Sequence, residues 1–201
     1  MIKAIICDTD GMLVHSEAFS QELERKYGIT RETTTPFFID SFQSCLVGKA
    51  DLKEVIAPYL VSWGWKKSVD ELLAEWFRFE HRLDDDLVHY LSELHNSGLK
   101  IYLITNQEKY RTQYLLDEMG FAKIFDRVFS SCQVGYKKPD EDMFATVLKE
   151  LPHLSKKEIV FWDDQQKNVA AAATFGLHAC LYTTLPDFIE KMDACVQMNK
   201  R

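Results

Sequence analysis

Residues that break or staple a chain are scarce in this sequence. Of 201 positions only eight are glycine and five are proline, which excludes collagen-like and low-complexity architectures. The five cysteines (Cys7, Cys45, Cys132, Cys180 and Cys195) are odd in number, scattered and never in a C-x-x-C pair. Neither a disulfide framework nor a zinc site is indicated. They read as small buried hydrophobes, with Cys195 the one expected nearest the surface. Basic charge is also short: 24 Lys and Arg face 31 Asp and Glu, a formal net of −7. A chain that neutralises nucleic-acid phosphates or coats an anionic membrane would show the opposite balance. No stretch approaches the ~18 uninterrupted apolar residues of a membrane span, and MIKAIICDTDG turns acidic before a signal-peptide core could form. A cytoplasmic protein is expected, without nucleic-acid or membrane partners. Nothing in the composition speaks to oligomeric state.

What is present suits a packed globular chain: 46% hydrophobic and 12% aromatic residues, at a length that allows one α/β domain with a modest insertion. Short apolar runs at Ile2 to Cys7, Lys100 to Ile104, Glu158 to Trp162 and Leu177 to Leu181, with a weaker one at Arg127 to Ser130, have the character of parallel strands covered on both faces. Helical patterns at Gln107 to Met119, Asp140 to Leu151 and Lys167 to Phe175 separate them, the first and last followed by Gly120 and Gly176. The alternation predicts a doubly wound parallel sheet.

About ninety residues between Cys7 and Lys100 break that rhythm, too many for an ordinary crossover, and predict an inserted, smaller all-helical domain. There, Ser16 is placed to cap a helix carrying Phe19, Leu23 and Tyr27; Thr33 to Pro36 reads as a turn; Pro58 is expected to limit a helix beginning near Asp51. Ser68 and Glu71 form a capping box, and Asp84 to Asp86 open the helix leading back to the sheet. Most aromatics of the insertion are expected to form its own core, with Phe37 and Phe38 the exceptions.

The candidate chemistry lies at strand ends, where open α/β sheets bind ligands. The first strand runs into Cys7-Asp8-Thr9-Asp10-Gly11, so two carboxylates two residues apart can lean to one side. An Asp-Gly turn with two solvated acids fits this segment equally well. A second acidic pair, Asp163 and Asp164, follows the Ile159 to Trp162 run. Converging carboxylates repel unless a cation sits among them, and hard oxygen ligands suit Mg²⁺. Thr105 and Asn106 stand before a helix N-terminus, a favourable anion site, and Lys137-Lys138-Pro139 brings an ammonium on a further loop.

The segments ICDTDGMLVHSE, IYLITNQ, VGYKKPDEDMF and IVFWDDQQKNVAAAATFG, in this order, resemble the motifs of the haloacid dehalogenase-like hydrolase superfamily. The resemblance implies a Rossmann-like core over residues 1–13 and 86–201 with a helical cap over 14–85. It further implies a Mg²⁺-dependent phosphomonoester hydrolase of a small phosphorylated metabolite. Asp8 would be the nucleophile of an aspartyl-phosphate intermediate, Asp10 the general acid and base, and Thr105 and Lys138 the binders of phosphoryl oxygens. Metal ligands would be Asp8, the Asp10 carbonyl and Asp164, with Asp163 acting through water and Asn168 where relatives often carry an acid. Asn106 joins the phosphate site. Lys49, in a Val47-Gly48-Lys49 segment similar to a cap specificity loop, either reaches the substrate's far end or is a plain surface lysine. Lys137 reads as a solvated charge and His15 as a hinge residue. Asp10 argues for phosphoryl rather than halide chemistry. A phosphomutase of the same fold, a phospho-acceptor module and a non-catalytic binding protein stay open as alternatives.

Overall fold

The computed structural model describes residues 1–197, with side chains to residue 195. Five strands, β1 (Ala4–Cys7), β2 (Lys100–Thr105), β3 (Arg127–Ser130), β4 (Ile159–Asp163) and β5 (His178–Leu181), pair in the order β3-β2-β1-β4-β5. Every pairing is parallel. Because strand side chains alternate, β1 divides its residues between two cores. Ile5 and Cys7 pack with Ile101, Leu103, Val160 and Trp162 on one face. Ala4 and Ile6 pack with Tyr102, Ile104, Ile159 and Phe161 on the other. The buried pattern of β1 and β4 is that of central strands covered on both sides.

Helices α1 (Phe19–Tyr27), α2 (Arg31–Pro36), α3 (Phe42–Leu46), α4 (Leu52–Ser62) and α5 (Val69–Phe79) lie between β1 and β2, and α6 (Asp85–Asn96) returns the chain to the sheet. The remaining helices are α7 (Lys109–Asp117), α8 (Phe121–Ile124), α9 (Ser131–Val134), α10 (Glu141–Lys149), α11 (Gln166–Phe175) and α12 (Leu185–Gln197). Helices α6, α8 and α12 supply Leu87, Leu91, Phe121, Phe188 and Met192 to one face of the sheet. Helices α10 and α11 supply Met143, Phe144, Val147 and Ala172 to the other. Helices α1 to α5 gather around a third core of their own, which includes Phe19, Phe37, Ile56, Leu72 and Trp76. No helix among the described residues is long and apolar enough to cross a membrane.

Several local expectations are corrected. Ser16 caps nothing: α1 starts after Ala18 without a side-chain cap. Thr33 to Pro36 is helix, not turn. Thr30 caps it by accepting from Thr33 N, and the Thr34 and Thr35 hydroxyls bond back to Arg31 O. Pro36 lacks a donor, and the chain continues through it in a wider π turn, Phe37–Ser41. Pro58 does not limit α4, which runs on to Ser62 while burying Ile56 and Leu60; packing overrides the local preference. Phe37 is fully buried, against Phe38, Phe42, Tyr59 and Trp63. Cys195 is buried as well. The capping box of Ser68 and Glu71 and the Asp84 cap of α6 form as anticipated.

Candidate active site

The loop after β1 turns back on itself: the N–H groups of Met12, Leu13 and Val14 converge on Thr9 O, and Gly11 N donates to Val14 O. Gly11 has a φ of +78°, and a Cβ there would collide with the Asp164 carboxylate. Glycine therefore provides both the left-handed turn and the room for Asp164 to approach. Asp8, Asp163 and Asp164 each bring a carboxylate oxygen within 4.8 Å of the others, and they are the one such metal-competent group among the described residues. The capping acids Asp84 to Asp86 form no second one.

Lys138 lies inside this cluster, buried, with Nζ 2.7 Å from Asp8 Oδ1 and 2.6 Å from Asp163 Oδ2. Burial by itself would push the ammonium's pKa down, but the two carboxylates hold it above the ordinary value. Burial pushes Asp8 up to about 7, opposed chiefly by Lys138 and assisted by Asp163. Asp163 is fully occupied: it accepts from Lys138, from both contacts of Asn168 Nδ2 and from Gln165 N. Asp164 differs, since its Oδ1 is buried without a hydrogen-bond partner, and desolvation raises its pKa.

Asp10 is exposed at its surface, yet desolvation by the surrounding protein raises its carboxyl pKa, opposed by Arg111, by a bond from Gln107 and by Lys138. Thr105 is buried at the end of β2, in register with Ser130. Asn106 forms a reciprocal pair with the Lys138 backbone, donating to its carbonyl at 2.9 Å and accepting from its N–H at 2.8 Å. Its amide therefore staples the lysine loop and is not free for a ligand.

Lys137 is not a solvated charge: it donates to Gln43 Oε1, 2.5 Å away on the helical insertion. His15 meets Asp84 at 3.2 Å, joining the two connections between insertion and sheet domain. Lys49 is exposed, beside Gly48, in a cavity of about 370 Å³ shared with Asp51, Lys109 and Cys132. Gly48, at φ +69°, abuts the Cys132 carbonyl so closely that a Cβ could not be accommodated. The structure thus brings Asp8, Asp163, Asp164 and Lys138 into contact, and gives Lys49 no contact with them.

Three neighbours escaped the sequence reading: Gln107, which donates to Asp10 Oδ2 at 2.6 Å, and the buried Arg111 with its partner Glu80. Position alone could have flagged Gln107, which directly follows Thr105 and Asn106 at a strand end. Arg111 and Glu80 belong to no motif.

Known proteins share both sequence and fold with this chain. The GMP/IMP nucleotidase YrfG of Escherichia coli is 31% identical over 105 residues, 52% of this chain and 47% of that protein. The sesquiterpene phosphatase astK of Aspergillus oryzae is 34% identical over 97 residues, 48% of each. The chain therefore spans about half the length of these curated relatives. Among solved structures, a HAD-like family hydrolase from Porphyromonas gingivalis superposes with a TM-score of 0.79 at 21% identity, covering 96% of this chain and 98% of that one. The HAD family enzyme bt-2542 of Bacteroides thetaiotaomicron, solved with magnesium and inorganic phosphate, gives 0.77 at 19% identity over 91% and 95%. With the family's own model matching residues 2–176, the chain belongs to the haloacid dehalogenase-like hydrolases.

Proposed function

We propose that this hydrolase is a Mg²⁺-dependent phosphomonoesterase acting on a small phosphorylated metabolite, with residues 14–85 serving as a cap over the sheet domain. One observation carries the reading: a buried ammonium and three carboxylates meet at the end of β1 and β4, and Asp164 Oδ1 is left without a partner. A buried carboxylate oxygen so left is costly unless something cationic satisfies it. All-oxygen donors at the rim of a cleft suit Mg²⁺, which keeps waters and leaves room for a phosphate. The residues fit the ion: Asp8 and Asp164 through carboxylates and Asp10 through its backbone carbonyl. Asp163, whose oxygens are engaged by Lys138 and Asn168, would act through water. When bound, Mg²⁺ neutralises charge on the phosphoryl oxygens and on the attacking acid.

Asp8 attacks phosphorus as a carboxylate, forming an aspartyl-phosphate as the bond to the leaving oxygen breaks. Asp10 gives its proton to that oxygen, then takes one from the water that attacks phosphorus and releases Asp8. Lys138, fixed by Asn106 and Asp163, holds a phosphoryl oxygen and offsets the repulsion between carboxylate and phosphate dianion. Thr105 binds another oxygen. Lys49, on the insertion loop packed against Cys132, is the residue for the far end of the substrate. The names of YrfG and astK, a nucleotidase and a phosphatase, support hydrolysis of a phosphomonoester.

Purified protein is expected to release inorganic phosphate from p-nitrophenyl phosphate and from members of a metabolite panel, in a Mg²⁺-dependent manner. Asp8→Asn and Asp10→Asn should abolish this release. Robust turnover by either variant contradicts the reading, as does conversion of a sugar phosphate to its isomer with no phosphate released.

A further inference from the structure

Resting on the hydrolase reading above, we propose that Gln107 is a positioning residue for Asp10: it holds Oδ2 of the acid, so that Oδ1 is the oxygen from which the proton passes to the leaving group.

Asp10 sits on the tight loop closed by Gly11 and is exposed, and an ionised carboxylate has two chemically equivalent oxygens. Gln107 distinguishes them by donating from Nε2 to Oδ2 at 2.6 Å. The backbone that carries the donor is itself held in place. Gln107 is buried, and its backbone carbonyl accepts from Ser130 Oγ at 3.0 Å, Ser131 Oγ at 3.3 Å and Cys132 N at 3.3 Å. Those three donors belong to the corner where β3 passes into α9. The backbone from which this side-chain amide extends is thus anchored to a different strand from the one that carries Asp10.

The chemistry of an amide donor sets the consequence. The carbonyl oxygen of a carboxylic acid accepts a hydrogen bond better than its hydroxyl oxygen does, so an N–H donor on Oδ2 favours the acid form of Asp10 with its proton on Oδ1. A flipped amide would turn a carbonyl oxygen toward the carboxylate and repel it whenever Asp10 is ionised, as the second half-reaction requires. Gln107 thus leaves Oδ1 as the oxygen of Asp10 that this donor does not engage, and proton transfer is assigned to that oxygen.

A positioned acid matters most where the leaving oxygen needs a proton. The test is kcat/KM, which ends at departure of the leaving group, for an alkyl phosphate and for p-nitrophenyl phosphate, in wild type and Gln107→Met. Met keeps the length and volume of the side chain and removes the donor. The expected result is a loss of about 10- to 100-fold on the alkyl ester, against a loss of no more than about threefold on the p-nitrophenyl ester. Equal losses on both esters would assign Gln107 a merely structural role and overturn the proposal, as would an unchanged rate on the alkyl ester. If Gln107→Met fails to fold, Gln107→Asn, which keeps an uncharged amide but shortens the side chain so that it no longer reaches Oδ2, carries the same comparison: the unequal loss supports the proposal, and equal losses or an unchanged alkyl rate overturn it. Wild-type protein inactive on both esters would instead contradict the phosphomonoesterase reading, so the two failures are distinguishable.

Discussion

Lys138 concentrates the residue-scale physics of this molecule. Its ammonium sits between Asp8 and Asp163, all three buried, and each carboxylate would be a desolvated charge without it. Replacing it with alanine leaves two close carboxylates unneutralised. Removing one partner of a buried pair destabilises by about 3–5 kcal/mol. Lys138→Ala should therefore lower the stability measured by denaturant unfolding in metal-free buffer by an amount in that range, and should eliminate phosphatase turnover. Wild-type stability for the variant would show that the pair is less desolvated than the structure indicates. The acids and the lysine were legible from sequence because each follows a strand-like run, and a parallel sheet brings all its strand ends to one edge. Arg111 and Glu80 were not, because their contacts are set by how α7 packs against the end of α5, and Gln107 showed only its place at a strand end and not its partner. Asn106 was legible in place but not in use: its amide looked available until the Lys138 backbone was seen to engage it on both sides.

At the scale of elements, the strands were easier to read than the helices of the insertion. A strand covered on both faces is apolar at every position, whereas α2 carries three threonines and a proline that look like a turn. That segment becomes helical because Thr30 caps it, and because Phe37, just beyond, is drawn into an aromatic core with Phe42, Tyr59 and Trp63. Helices α1 and α5 are tied by a second device. Glu75 accepts from Lys67, Tyr27 and Lys26. Burial pushes its pKa up, but these hydrogen bonds prevail and leave it lowered to about 2. A carboxylate with a depressed folded pKa stabilises the fold above its unfolded pKa of about 4.3. That contribution fades as pH falls through 4 toward 2. The melting temperature of wild type should accordingly exceed that of Glu75→Gln at pH 6, and the gap should narrow as pH approaches 2. A gap that does not depend on pH would assign the difference to packing instead.

For the whole molecule, the net charge of −7 describes the surface and not the site. The acidic excess speaks against polyanionic partners, yet under the proposed function the candidate centre would turn part of that excess into anion binding, through Lys138 and a cation that Asp8 and Asp164 would hold. The helical insertion and the sheet domain are joined by polar links, Lys137 to Gln43, Lys109 and Tyr110 to Asp51, Arg111 to Glu80, and His15 to Asp84, and by the packing of Phe77 on Tyr114. Gly48 against Cys132 adds a close backbone contact on the same side. The division into sheet and insertion could be read from the length of chain between β1 and β2, while these links could not, because they join residues far apart in sequence and carry no periodicity. Under the proposed function, Asp8 takes the phosphoryl group covalently. Acid-quenching wild-type protein during turnover of a phosphomonoester, reducing with borohydride and mapping the peptides should find the acyl-phosphate, trapped as the reduced side chain, at Asp8. Turnover with no modification at Asp8, or with the modification at another carboxylate, would contradict it.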